Sequence, residues 1–439
     1  MVTSLARRFF VHTFGCQMNE SDSEHLAGLL TSQGWQKVAT VEESDLVIIN
    51  TCAVREKSVE KFFSLLGRLK QAKKKRPFKV AVVGCVAQLQ AEELLQVHPV
   101  VDYVLGPDNY PKLVQIINQD ERASLKAWSS QWREHPSPLI LRESSVSAYV
   151  PVMEGCNNFC SYCIVPFARG REKYRPAQAI LKEVKDLAQE GYLEIQLLGQ
   201  SITSYHDEEA GWTLAELLQN VALVKNIRWV RFITSHPKNL SKEIVLVMAK
   251  EKNICRQIHL PVQSGSNRIL QKMKRGYSRE EYLEKIALLR ELVPGISLST
   301  DIIVGFPGES ENDFEATLSL LEAVRFTNIF SFRYSPRPFT AASRLPDDVP
   351  FEVKRRRLIE VQNLQKKIQL ELNSGLVGQV MDVLCLGRSL KTPQLFSGRN
   401  EAYQVVNFSS AEEVTNKMVK VRITSFGPYS LRGEILSPN

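Results

Sequence analysis

No run in the 439 residues approaches the roughly 20 consecutive apolar residues that a membrane span requires. No membrane association is therefore expected. The opening stretch "MVTSLARRFF" also lacks the long apolar core and small-residue cleavage site of a secretory signal. A cytoplasmic protein is expected, and there the eight cysteines point to metal or catalytic duty rather than to structural disulfides, because thiols stay reduced. The Asn-x-Ser sequences at Asn239 and Asn407 then carry no glycosylation signal. Composition gives no sign of disorder or of a fibre, with 44% hydrophobic and 24% charged residues. The length allows two or three domains with ample core.

What is present in excess is positive charge, +8 net, with basic runs at Lys73–Arg76, Lys272–Arg279 and Arg355–Arg357. Together they suggest a polyanionic partner such as nucleic acid, although each run alone reads as a solvated face.

Along the chain, residues 8–120 alternate short apolar runs ("FFVHTF", "LVIIN", "KVAVVG", "VDYVLG") with amphipathic segments. That rhythm predicts an α/β domain with a doubly wound parallel sheet covered on both faces. Residues 121–141 lose it and read as a linker. From 142 to 373 six further apolar runs, "AYVPVME", "EIQLLG", "RWVRFIT", "RQIHLPV", "SLSTDIIVG" and "NIFSFRY", alternate with helical segments. They predict a (βα)6 partial barrel with its site at the C-terminal strand ends, closed by a basic helix. Residues 375–438 change to short β-like runs with turn residues, predicting a small all-β barrel.

The sharpest chemical signal is "EGCNNFCSYCIVP", a C-x3-C-x2-C spacing at Cys156, Cys160 and Cys163, directly after the first barrel strand. Three thiolates can hold three irons of a 4Fe-4S cluster and leave the fourth open to a ligand; zinc is the competing reading. The first domain repeats the count. Cys16, Cys52 and Cys85 each end an apolar run, "FFVHTFGC", "LVIINTC" and "KVAVVGC". A lone buried thiol such as Cys52 is usually a small hydrophobe. Three placed alike, however, could converge beyond the strand ends of one sheet, where ligands of such sheets gather. An open iron there could hold sulfur, making that cluster a donor. Cys255 and Cys385 have no such partners and read as structural.

The Cys156 motif, with an aromatic before its third cysteine, resembles the radical SAM superfamily. That likeness implies that S-adenosylmethionine chelates the open iron and is cleaved reductively to a 5′-deoxyadenosyl radical. More specifically, "FGCQMNESDSE", "NTCAVRE", "GCVAQ", "MEGCNNFCSYCIVPFARGRE", "HLPVQSGSNRILQKMKRGYSREEY", "DIIVGFPGE" and "FRYSPRPFTAA" resemble the methylthiotransferase family over essentially the whole chain. The resemblance implies an N-terminal methylthiotransferase domain, a radical SAM core and a C-terminal TRAM domain, with two 4Fe-4S clusters and S-adenosylmethionine as cofactors. It implies a sulfur-group transferase that uses two S-adenosylmethionines to convert isopentenyl-adenosine, 3′ of the tRNA anticodon, to its 2-methylthio form. The stretches "FGCQMN" and "SPRPFTAA" favour that substrate. Sibling enzymes act on threonylcarbamoyl-adenosine or on an aspartate of a ribosomal protein, and a non-catalytic RNA-binding iron-sulfur protein is the alternative of a different class.

The same resemblance places Tyr162 near the adenine of S-adenosylmethionine, and Gly199 and Gln200 near its methionine group. Gln263, Ser264 and Asp301 are expected at the same strand-end face. Arg399 is expected on phosphate and Tyr403 on a base, within "GRNEAYQVVNF". His259, a residue type more often satisfied in a core than acting as a base, is assigned no role. "LLGQSITSY" departs from the family pattern, where an asparagine would follow Gln200. The anticodon stem-loop and an electron donor such as flavodoxin or ferredoxin are the expected partners, and the chain is expected to be a monomer.

Overall fold

Leu46–Thr51 is buried along its whole length, with Leu46 and Ile48 packed to one side of the sheet and Val47 and Ile49 to the other. Only a strand covered on both faces accepts such a run. The structure, a computed structural model, describes residues 7–129, 131–132 and 139–436. Positions 130 and 133–138 of the expected linker, and 437–438 of the expected last domain, lie outside the described residues.

The first sheet has six parallel strands in the order Gln36–Lys37, Arg8–Thr13, Leu46–Thr51, Lys79–Gly84, Tyr103–Leu105, Ala123–Leu125. Winding reverses between Arg8–Thr13 and Leu46–Thr51, which creates a crevice at their C-terminal ends. Helix Glu56–Lys75 covers one face through Phe62, Leu65, Leu66 and Leu69, an i, i+3, i+4, i+7 stripe. The short strand Ala123–Leu125 falls within the stretch expected as a linker. It pairs along the edge of Tyr103–Leu105, whose backbone groups would otherwise lack partners there.

The second unit contains the six expected strands, Ser147–Pro151, Glu194–Leu198, Trp229–Ile233, Gln257–His259, Ser297–Val304 and Asn328–Arg333. They form two parallel three-stranded sheets. A parallel bridge from Val230 to Ile254 links the two. Ile195, Leu197, Val230, Phe232, Ile258 and Ile302 pack against the covering helices. The opposite face is polar, with a network of Ser147, Glu194, Gln196 and Arg231.

After helix Phe351–Ser374, five strands close a barrel: Val380–Arg388, Phe396–Asn400, Val405–Ser409, Leu431–Ile435 and Met418–Phe426. This barrel docks against the N-terminal ends of the core strands. Leu384 and Met418 pack on Val146, Trp229 and Cys255 there. Among the described residues no helix is long and apolar enough to cross a membrane.

The basic runs do not act as undivided surfaces. Lys73 is paired with Asp102, while Arg275 and Arg357 are buried, the latter against Glu309. Cations in each run have found internal acceptors, which a count of charges along the chain does not reveal.

Candidate active site

Cys16, Cys52 and Cys85 follow the C-terminal ends of three adjacent strands, two of them at the reversal crevice. All are free thiols, and Cys16 and Cys85 lie close enough to Cys52 to oppose its ionisation. Burial, then the neighbouring Cys85 and Cys16, push Cys52 up to about 12; burial also raises Cys85, against the opposing charge of Arg169. Two glycines permit the approach. A Cβ on Gly15 (φ +130) would stand 2.7 Å from that of Cys52, and one on Gly84 (φ +94) would stand 2.5 Å from the Asn50 side-chain oxygen. Asn19 donates to Asn50 Oδ1 (3.0 Å) and to the Thr51 carbonyl (2.9 Å), and the Cys16 thiol donates to Asn19 Oδ1 (3.5 Å). Backbone N–H groups of Val54 and Arg55 point at Cys52.

The second triad is built the same way. Gly155 (φ +80) precedes Cys156, and a Cβ there would meet the Arg171 carbonyl at 2.0 Å. Cys156 accepts from Asn158 Nδ2 at 3.2 Å, and Cys160 accepts from Arg275 Nη1 at 3.3 Å. His236 Nε2 lies 3.9 Å from the same sulfur. Burial and then the Arg275 and Lys238 charges hold that imidazole neutral, with its pKa lowered to about 2. Burial and the Cys160 neighbour push Cys163 up to about 12.

Among the described residues, no group of three or more His, Cys, Asp or Glu side chains is placed to hold a metal ion. The three thiols of each triad are neighbours rather than a closed chelate, so a single zinc with ligands about 2.3 Å from one centre gains no support. Two sets of three free thiols, buried or half-buried and each lacking a fourth cysteine, suit an iron-sulfur cluster with one open iron.

The two triads are joined by a short buried link. Ile164 and Ala168, just after Cys163, pack in the same core as Cys85. Arg169 then pairs with Asp22 on the first helix of the first domain, both side chains 3% exposed. Lys173 pairs with Asp108, also across the domains. A second connection is the segment 335–342: Arg337 donates to the Val54 carbonyl (3.1 Å) and Ser335 to Glu56 (3.2 Å) beside Cys52. Its far end, Ala342, donates to the Ser161 carbonyl (2.7 Å) beside Cys160.

Other expected site residues divide. Tyr162 lies next to the second triad, its hydroxyl accepting from Arg275 at 3.4 Å, and Gln200 accepts from the Gly155 N–H. Gly199 is packed on Met153. Gln263 (φ +77) bridges to Ile302, and Asp301 stands 3.4 Å from His259 Nε2. Ser264 is fully buried, its hydroxyl facing Thr317 Oγ1 (3.4 Å) on a covering helix and accepting from the Ser266 N–H. Tyr403 and Arg399 are partly exposed and also meet the core. The Tyr403 hydroxyl donates to Gln196 (3.3 Å), and its ring lies under Arg231 and Arg399, so both side chains are engaged at the junction with the core. Arg275, His236, Asn19 and Arg169 escape the sequence reading because one chain does not distinguish a buried polar residue from a solvated one.

Comparison with known proteins bears on the whole chain. Residues 8–106 match the uncharacterized protein family UPF0004, 150–321 the radical SAM superfamily and 376–436 the TRAM domain. A tRNA-2-methylthio-N(6)-dimethylallyladenosine synthase from Chlorobium luteolum is 46% identical over 434 residues, covering 97% of both chains. The chain belongs to this methylthiotransferase family. Family members of the same name from Thermodesulfovibrio yellowstonii (44% identical, 98% of this chain and 99% of the relative) and Moorella thermoacetica (42%, 98% of both) agree. In fold, the methylthiotransferase resembles the radical S-adenosylmethionine methyltransferase TsrM from Kitasatospora setae, with a TM-score of 0.57 and 14% identity. That likeness covers 77% of this chain and 74% of TsrM.

Proposed function

We propose that this methylthiotransferase converts N6-dimethylallyl-adenosine (isopentenyl-adenosine) beside the tRNA anticodon to its 2-methylthio derivative. The observation that carries the reading is the pair of three-thiol sites, each at the strand ends of its own sheet and joined through residues 164–169. One site suits radical generation and the other sulfur delivery, and both must reach the same carbon. When bound, two 4Fe-4S clusters and S-adenosylmethionine would relay the reductant's electron and supply the radical, sulfur and methyl group that acid-base side chains lack for an aromatic C–H.

Within that scheme the chain's own residues bind, orient and exclude water. Cys156, Cys160 and Cys163 would hold the S-adenosylmethionine-binding cluster, and Cys16, Cys52 and Cys85 the auxiliary one. Arg275 sets charged N–H donors against Cys160 and Tyr162. The Val54 and Arg55 N–H groups likewise point at Cys52. Tyr162, Gly199, Gln200, Gln263 and Asp301 are the candidates for S-adenosylmethionine contact. The +8 charge and the TRAM-like barrel support binding of the anticodon stem-loop. A flavodoxin- or ferredoxin-type protein is the reductant class the chemistry calls for, and a cytoplasmic monomer is the form proposed.

Mass spectrometry of tRNA nucleosides after anaerobic reaction with the cluster-loaded protein, S-adenosylmethionine and reductant tests the reading. Methylthio product on the prenylated adenosine is expected. Product on threonylcarbamoyl-adenosine or on unprenylated adenosine would overturn the substrate assignment.

A further inference from the structure

Phe339, like Phe159 (40% exposed, φ +46) between Cys156 and Cys160, is an exposed aromatic residue with a left-handed backbone. It is 57% exposed yet sits at φ +70, a left-handed conformation that bulky residues avoid. The segment that carries it is fastened at both ends. Arg337 and Ser335 tie it to Val54 and Glu56 beside Cys52, and Ala342 ties it to Ser161 beside Cys160. Within the segment, the Arg337 carbonyl accepts from both the N–H and the hydroxyl of Thr340. The bend thus raises the Phe339 side chain between two anchor points, one at each triad. Its ring stands 6.2 Å from that of Phe167, tilted by 31°, and Phe167 lies on the buried link between Cys163 and Arg169.

A strained aromatic residue held at the junction of two reactive sites has a cost with no return in core packing, since most of the ring faces solvent. The return must come from something that arrives there. Resting on the function proposed above, we infer that Phe339, backed by Phe167, is the surface on which the prenyl-bearing adenine lies while its carbon 2 faces both triads. An exposed, sequence-tolerant aromatic face is what an unstacked base binds, and the dimethylallyl group adds apolar area that the same ring covers. The residue would therefore contribute to both base placement and preference for the prenylated nucleoside.

The test uses the anaerobically cluster-loaded full chain and two RNA stem-loops, one with dimethylallyl-adenosine and one with plain adenosine at the target position. Phe339→Ala is expected to weaken binding of the prenylated stem-loop about tenfold, within the range of one base-aromatic stack, and to shrink the preference over the plain one. Phe339→Tyr keeps the ring and should retain both. Phe339→Gly adopts φ +70 without strain, so the segment keeps its course and a loss of binding there cannot be ascribed to its collapse. Phe351→Ala, an exposed aromatic on another element, is expected to change neither. The inference is overturned if Phe339→Ala and Phe339→Gly bind and methylthiolate the prenylated stem-loop as the parent does. If the parent itself leaves that stem-loop unmodified, it is the proposed function that fails, and the inference with it.

Discussion

Arg231 joins two domains through a buried charge. Its Nε donates to Glu194 at 2.6 Å, Nη2 to the Asn400 carbonyl at 2.8 Å and Nη1 to the Glu401 carbonyl, while its side chain is fully buried. Three hydrogen bonds from a charged donor, at about 1.5–3 kcal/mol each, would sum to about 5–9 kcal/mol. Part of that is returned when the guanidinium no longer has to be desolvated, so the range for breaking a buried pair, about 3–5 kcal/mol, governs Arg231→Met. Glu194 would be left buried with Ser147 (2.6 Å) and Gln196 (3.0 Å) as its remaining donors. The cost should appear locally, as opening of the 400–404 loop. At about 1.4 kcal/mol per factor of ten, native-state hydrogen exchange of those amides should speed up roughly 150- to 5,000-fold. Adding Glu194→Gln removes the stranded charge and should recover about 2 kcal/mol, roughly 30-fold in exchange. Parent-like exchange in Arg231→Met, or purely additive single and double substitutions, would refute the coupling of this pair to the docked barrel.

Other consequences are as direct. Cys52→Ala should keep S-adenosylmethionine cleavage but lose sulfur insertion, whereas Cys160→Ala should lose both, as read by 5′-deoxyadenosine and nucleoside analysis; sulfur insertion by Cys52→Ala would sink the two-site scheme. Gly15→Ala would force a Cβ to 2.7 Å from that of Cys52, so iron per chain should fall from about eight to about four by iron assay. Asp313 is raised by burial, but hydrogen bonds from Arg268, Ser266 and Ser310 outweigh this and hold its carboxyl well below the usual range. Its stabilisation is therefore complete above about pH 4 and is lost as pH falls through the depressed folded value, so the stability gap between parent and Asp313→Asn should narrow in acid denaturation.

Much of the fold was legible because strand signals are local. "LVIIN" could only be a strand covered on both faces, and the six core strands each carried such a run. The edge strands Gln36–Lys37 and Ala123–Leu125 were not legible, since a few residues hold no periodicity and join the sheet only because an edge is there to receive them. For the site, the cysteines were readable from spacing and from their recurrence after strands. Their surroundings were not. Arg275 read as part of a basic surface, yet it meets Cys160 from 115 positions away, and the Tyr403 hydroxyl meets Gln196 from 207 positions away.

The sequence by itself thus determined the three domain textures and the two sets of three thiols. These follow from residue type and short-range order. Tertiary structure alone decided that segment 335–342 reaches from one triad to the other, that the TRAM-like barrel docks at the strand ends opposite the cysteines, and which charged side chains turn inward. Those outcomes depend on which distant acceptor is near enough to offset the desolvation of a buried donor, and no single stretch of chain contains both partners.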